Sequence, residues 1–223
     1  MTLDAAAAET AEILLNIKAA LFNAQQPFTF TSGRKSPVYI DCRKIISFPA
    51  ERRRLMTLLH QKLVRAAGPE AFDAVAGGET AGIAYAAWMS ELMNVPMQYV
   101  RKQPKGFGRM AQIEGELSEG QRVLLMEDLA TDGGSKEKFV TALRTAGAKV
   151  DHTAVIFFYG IYPKSTEVFH NLNIQLHYLC TWPDMLQFVK QKNYFDAATI
   201  ASVEQFLASP EEWSRQHGGK DVA

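Results

Sequence analysis

The sequence predicts an α/β domain: a central, mostly parallel sheet flanked by helices, with a small N-terminal hood. Three observations predict it. From residue 71 onward, short apolar runs alternate with helical patterns, the rhythm of strands joined by right-handed crossovers. One of those runs, Val123 to Met126, contains no polar residue, as expected of a parallel strand buried on both faces. Before residue 49 the pattern differs, with two short strand-like runs around a polar, glycine-containing turn.

Taken in order, Ala5 to Asn23 reads as an amphipathic helix with Ile13, Leu14, Ile17, Leu21 and Phe22 on one face, stopped by Pro27. Phe28 to Thr31 and Val38 to Ile40 read as short strands around Ser32-Gly33-Arg34-Lys35-Ser36. Pro49 suits a first helical position, and the helix it opens runs to about Ala67 before Gly68. Ala71 to Ala76 is the first core strand, followed by the loop Gly77-Gly78-Glu79-Thr80-Ala81-Gly82 and a helix over Ile83 to Met93. Pro96 to Val100, Val123 to Met126 and Val150 to Phe158 are further strands, Lys136 to Ala146 is a helix, and Ile174 to Leu179 adds an edge strand. From Pro183 two or three helices follow, one with Ser209 as N-cap and Pro210 in the first turn. The expected organisation is a single domain: a hood over about 1–48, a core over about 49–182 and C-terminal helices over 183–223.

Composition narrows the function classes. A chain of 223 residues can bury one sizeable core. Its 24 Lys and Arg balance 24 Asp and Glu, so no overall field draws nucleic acid or an anionic membrane, and neither is expected as a partner. Cys42 and Cys180 form no CxxC pair, and the five histidines show no metal-ligand spacing. That pattern gives no support for a disulfide framework or structural zinc and suits a reducing cytoplasm, the expected location.

Chemistry is concentrated in three loops that leave strand carboxyl ends, where open parallel sheets bind ligands. The richest begins at Glu127 and Asp128, passes Leu129 and Ala130, and turns through Thr131, Asp132, Gly133, Gly134 and Ser135 into a helix. Backbone N–H groups at such a helix start bind phosphate, and the two carboxylates lie where sugar hydroxyls would sit. No Gly-Lys-Ser/Thr ends the turn and no G-x-G-x-x-G is present, which excludes a Walker loop and a dinucleotide fingerprint. The second loop, Gly77 to Gly82, puts three glycines in six residues, for tight strand–helix packing, a strained peptide or close approach of an anion. The third, Arg101 to Arg109, holds four cations and no acid, with Gly106 and Gly108 beside Phe107. This composition suits a mobile lid that neutralises a polyphosphate.

These segments, with the hood motif Ser32-Gly-Arg-Lys-Ser-Pro-Val-Tyr39, resemble the orotate phosphoribosyltransferases among the type I phosphoribosyltransferases over most of the chain. The resemblance implies transfer of ribose 5-phosphate from phosphoribosyl pyrophosphate (PRPP) to orotate, giving orotidine 5′-monophosphate in pyrimidine synthesis. It implies Mg²⁺ carried mainly by the substrate, and a homodimer whose lid residues reach the partner's site. It assigns Lys105, Glu127 and Asp128 to catalysis. Arg101, Lys102, Lys105 and Arg109, with Glu79 and Thr80, would hold the pyrophosphate side of PRPP. The segment Glu127 to Ser135 would hold its ribose and 5′-phosphate. Arg34, Lys35, Tyr39, Ile40, Thr131 and Tyr159 would face orotate. The chain departs from the family pattern at Thr31, Ala81 and Phe107, where relatives carry two lysines and a lid histidine. It also departs at Glu127, which replaces Asp, and near Tyr159, where an arginine is expected. Those departures keep open another nucleobase as acceptor, or a relative that senses PRPP without turnover.

Overall fold

The computed structural model describes residues 3–106, 108, 112–131 and 133–220, with the side chains of Ser135 and Lys164 outside that description. The chain folds into two compact units, one of residues 49–179 and one that joins residues 1–48 to residues 180–223.

The first helix, α1 (Ala5–Asn16), starts on Asp4, whose carboxylate accepts the Ala7 N–H at 3.2 Å. It ends well before Asn23. Lys18 takes a φ of 55°, and the Lys18 and Ala19 N–H groups turn back to the carbonyls of Leu15 and Leu14. This left-handed closure ends the helix, and the chain restarts as β1 (Ala20–Phe22). Leu21 and Phe22 therefore belong to a strand, and the Phe22 ring stacks on Phe195 at 4.5 Å between centroids. β2 (Phe28–Thr29) and β3 (Lys35–Ser36) form an antiparallel hairpin around the polar turn, and β4 (Val38–Ile40) pairs with β1. A 3-10 helix over Cys42–Ser47 follows.

The second unit opens with α2 (Pro49–Ala67), which buries Leu55, Met56, Leu58, Leu59 and Leu63. Then come β5 (Ala74–Gly78), α3 (Ala81–Met93), β6 (Met97–Val100), β7 (Ile113–Glu114), β8 (Arg122–Met126), β9 (Leu129–Ala130), α4 (Gly134–Thr145), β10 (Lys149–Phe158), α5 (Pro163–Asn171) and β11 (Gln175–Thr181). The sheet order is β11-β10-β8-β5-β6-β7, with β9 alongside β10. β5 is parallel to β6 and β8, and β10 is parallel to β8 and β9, while β7 runs antiparallel to β6. Leu125, Val140, Leu143 and Val155 are completely buried between the sheet and its helices. β11 takes the edge position expected of Ile174 to Leu179. β5 lies at 74–78 instead of 71–76, because Gly77 and Gly78 continue the pairing with β8 and β6. The last helices, α6 (Trp182–Gln191), α7 (Ala197–Ala208) and α8 (Pro210–Gln216), belong to the unit that contains α1 and the hairpin.

β10 and β11 also carry a histidine pair. His152 Nδ1 and His177 Nε2 lie 2.9 Å apart, their rings stacked with centroids 5.1 Å apart. Burial, then the neighbouring His152 and Lys62, push the His177 imidazole down to about 4. Burial also lowers His152, against the opposing pull of Asp151. The folded state thus holds His177 neutral where an unfolded histidine, titrating near ~6.5, would take a proton. The associated stability is complete above that value and is lost as pH falls toward about 4. We expect His177→Gln to flatten the fall in melting temperature between about pH 7 and about pH 4.5, recovering at most about 3 kcal/mol at the acid end. Unchanged acid sensitivity in the variant would assign that loss to other groups.

Candidate active site at the strand carboxyl ends

The sheet order sets where the loops meet. After β5 the chain adds β6 on one side and then β8 on the other, so the winding reverses between β5 and β8. Loops that leave the two strands at such a switch point diverge and open a crevice. The register places Gly77 opposite Met126 and Gly78 opposite Val100, which brings the Gly77–Gly82 loop, the end of β8 and the start of the lid together.

The glycines of the first loop are enclosed by the protein itself. A Cβ on Gly77 would lie 2.5 Å from the Gly82 carbonyl, and one on Gly82 would lie 2.5 Å from the Met126 carbonyl. At Gly78 it would meet the Phe139 ring at 2.5 Å and Glu127 Oε1 at 2.8 Å. Tight strand–helix packing accounts for all three. Past them, the Glu79–Thr80 peptide bond is cis, and the Glu79 carboxylate accepts the Lys102 N–H at 2.7 Å, tying this loop to the lid.

Glu127 is 8% exposed and Lys136 3%, and their charged groups form an ion pair. The ammonium also donates to the Leu129 carbonyl at 2.5 Å. Sequence reasoning placed Glu127 at the ribose and did not single out Lys136. The signal was present: Lys136, Phe139, Val140 and Leu143 share the buried stripe of α4, and a lysine on such a stripe needs a buried anion. Gly133, at a φ of 87°, is the N-cap of α4, and its carbonyl accepts the Lys136 N–H at 3.0 Å. Asp128 bridges β8 and β9, its carbonyl accepting the Ile156 N–H at 3.1 Å. Tyr159 follows β10, with its N–H on the Ala130 carbonyl at 2.9 Å and its ring stacked on Tyr162 at 6.0 Å. Asp132 lies outside the described residues.

The segment expected to act as a lid follows β6, which pairs with β7 as a hairpin that the sequence did not reveal. Its base is closed by the Arg101 N–H on the Gln112 carbonyl at 2.8 Å and by an Arg101–Glu114 ion pair at 3.3 Å. Arg101 therefore spends its guanidinium partly on the hairpin, while Lys102 and Lys105 are exposed. Phe107 and Arg109 fall outside the described residues.

In the other unit, Tyr39 meets Phe28 and Phe30 at centroid distances of 5.6 and 6.3 Å. Ile40 is 4% exposed and packs as core. Arg34 pairs with Glu211 at 3.3 Å, and the Lys35 N–H donates to Ser214 Oγ at 2.9 Å.

Strand ends meeting at the switch point, with an acid pair leading into a helix start, suit a phosphoribosyltransferase, and the chain belongs to that class: the phosphoribosyl transferase domain family matches residues 48–174. Relatives narrow the class. An orotate phosphoribosyltransferase of Roseobacter denitrificans is 56% identical over 204 residues, covering 92% of this chain and 91% of that protein. One from Cereibacter sphaeroides is 56% identical over 214 residues, covering 96% and 92%. The crystal structure of orotate phosphoribosyltransferase from Aeropyrum pernix superimposes with a TM-score of 0.69 at 27% identity, covering 83% of this chain and 99% of that one. Leishmania donovani UMP synthase gives a TM-score of 0.74 at 28% identity over 90% of this chain, which spans 42% of that longer protein. The chain belongs to the orotate phosphoribosyltransferase family.

Removing one partner of a buried ion pair strands the other charge. Lys136→Met is therefore expected to destabilise the protein by roughly 3–5 kcal/mol in urea unfolding. Adding Glu127→Gln should recover a large part of that loss. Additive losses in the double variant would show that the two side chains are not coupled.

Proposed function

We propose that this chain transfers ribose 5-phosphate from PRPP to orotate through the crevice at the β5–β8 switch point. The observation that carries the reading is that crevice: Glu127, Asp128 and the start of α4 converge there with the lid base and the Gly77–Gly82 loop. In the transfer, the bond from ribose C1′ to the pyrophosphate oxygen breaks and a bond to a ring nitrogen of orotate forms, so positive charge builds on the sugar and negative charge on the leaving group.

The residues suit those two demands. Asp128, with Glu127 held by Lys136, stabilises the sugar's developing charge from the strand end. Thr131 to Ser135 hold the 5′-phosphate at the α4 N-terminus. Lys102 and Lys105, exposed on the lid, neutralise pyrophosphate as it departs. Arg34, Lys35 and Tyr39 recognise orotate. Among the described residues no three His, Cys, Asp or Glu side chains group as a metal cage. The acids at the strand end fit a Mg²⁺ bound chiefly by substrate oxygens and water. When bound, that ion adds charge neutralisation at the pyrophosphate. Among the described residues no helix is long and apolar enough to cross a membrane. The two buried cysteines, which form no disulfide, suit a working location in the reducing cytoplasm.

The lid acts across a homodimer. Support comes from the exposure of Lys102 to Gly106, which extend from the hairpin base.

Orotate consumption, followed by its ultraviolet absorbance, tests the reaction. Loss is expected only with both PRPP and Mg²⁺. Turnover of another base instead of orotate, or PRPP binding without turnover, would replace the reading. Lys105→Ala and Asp128→Asn are each expected to cut turnover by roughly 10²-fold or more without lowering the melting temperature. Mixing the two inactive variants should restore activity if each lid serves the partner's crevice. No recovery after subunit exchange would place lid and crevice in one chain.

A further inference from the structure

The hairpin that carries Arg34 and Lys35 is too small to hold its own shape. β2 and β3 supply two residues each, paired as Phe28 with Ser36 and Thr29 with Lys35. A two-stranded hairpin is marginal in water even when longer. Within the turn, Gly33 sits at a φ of 85° and its N–H donates to the Phe30 carbonyl at 2.8 Å. Further support arrives from the far end of the sequence.

Ser214 on α8 is 2% exposed, and its Oγ accepts the Lys35 N–H at 2.9 Å. Beyond α8 the chain folds back, with the Gly219 N–H on the Ser214 carbonyl at 2.8 Å and the Lys220 N–H on the Gly33 carbonyl at 3.0 Å. Space is fully used at this junction. A Cβ on Gly219 would lie 2.1 Å from Ser214 Oγ and 2.9 Å from the Lys35 nitrogen, and one on Gly33 would strike the Lys220 stem at 2.9 Å. Glu211, in the first turn of α8, reaches the Arg34 guanidinium at 3.3 Å. α8 itself is anchored by Trp213, 1% exposed and stacked by His217 at 3.6 Å.

We propose that Ser214, Gly219 and Lys220 are positioning residues for base recognition. They clamp the Ser32–Ser36 turn in the shape that presents Arg34 and Lys35, and so set the affinity for the acceptor base independently of the affinity for PRPP. The inference rests on the reading of Arg34 and Lys35 as orotate-binding residues. Its physical basis is preorganisation: a turn ordered before the ligand arrives does not lose conformational freedom on binding.

The test uses the full chain with Gly219→Val and Lys220→Pro. The first drives a side chain into the Ser214–Lys35 contact, and the second deletes one N–H on an exposed segment while leaving α8 intact. Each is expected to raise KM for orotate roughly five- to tenfold, with KM for PRPP and the melting temperature unchanged. Amide exchange at Lys35 should accelerate in both variants. Equal rises in both KM values, or unchanged KM for orotate with unchanged Lys35 exchange, would overturn the proposal. Exchange needs no turnover, so it separates the two failures. A wild type that ignores orotate removes the substrate reading, while unaltered Lys35 protection in the variants removes the clamp.

Discussion

A carboxylate and an ammonium taken out of water together constrain this active site more than any other contact. Neither Glu127 nor Lys136 could be buried alone, since an uncompensated charge in the interior costs several kcal/mol. Paired, they fix the start of α4 over the end of β8. The remaining geometry follows. Lys136 takes the Leu129 carbonyl, so β9 stays close to the helix. Gly133 adopts a left-handed conformation to bring the chain around, and Gly78 must lack a side chain because the Phe139 ring and the Glu127 carboxylate occupy that space. The Glu127 carboxylate is thereby neutralised from within the protein.

The β6–β7 hairpin is organised on the opposite principle. Its base is closed by backbone pairing and by Arg101 with Glu114, while Lys102 and Lys105 are exposed to solvent, where charge is cheaply held. The Glu79 carboxylate grips the Lys102 backbone, so the loop beside the crevice and the first lid residue share one fixed point.

The sequence was most legible where a physical pattern repeats. The apolar runs of β6, β8 and β10 and the long helix from Pro49 to Ala67 were visible because burial repeats over several residues. β7 and β9 have two residues each, too few for any period, and α5 spans only nine. α1 was read too long because its stop is a lysine at positive φ, a role usually signalled by glycine or asparagine. At the candidate site the three loops were legible from composition, and the packing role of Gly77, Gly78 and Gly82 was one of the readings their spacing allowed. The Lys136 pairing and the Ser214–Lys35 contact were not, because both join residues through tertiary geometry that leaves no mark on local spacing.

The discontinuous unit also imposes an order on biosynthesis. The hairpin at residues 28–36 leaves the ribosome early, yet its contacts with Ser214, Gly219 and Lys220 wait for almost the entire chain. The unit of residues 49–179 is contiguous and has all its strands available sooner, and such units fold as they emerge. The contacts of the contiguous unit are thus all available before the Ser32–Ser36 turn meets the partners that shape it, so the turn is ordered later than the sheet.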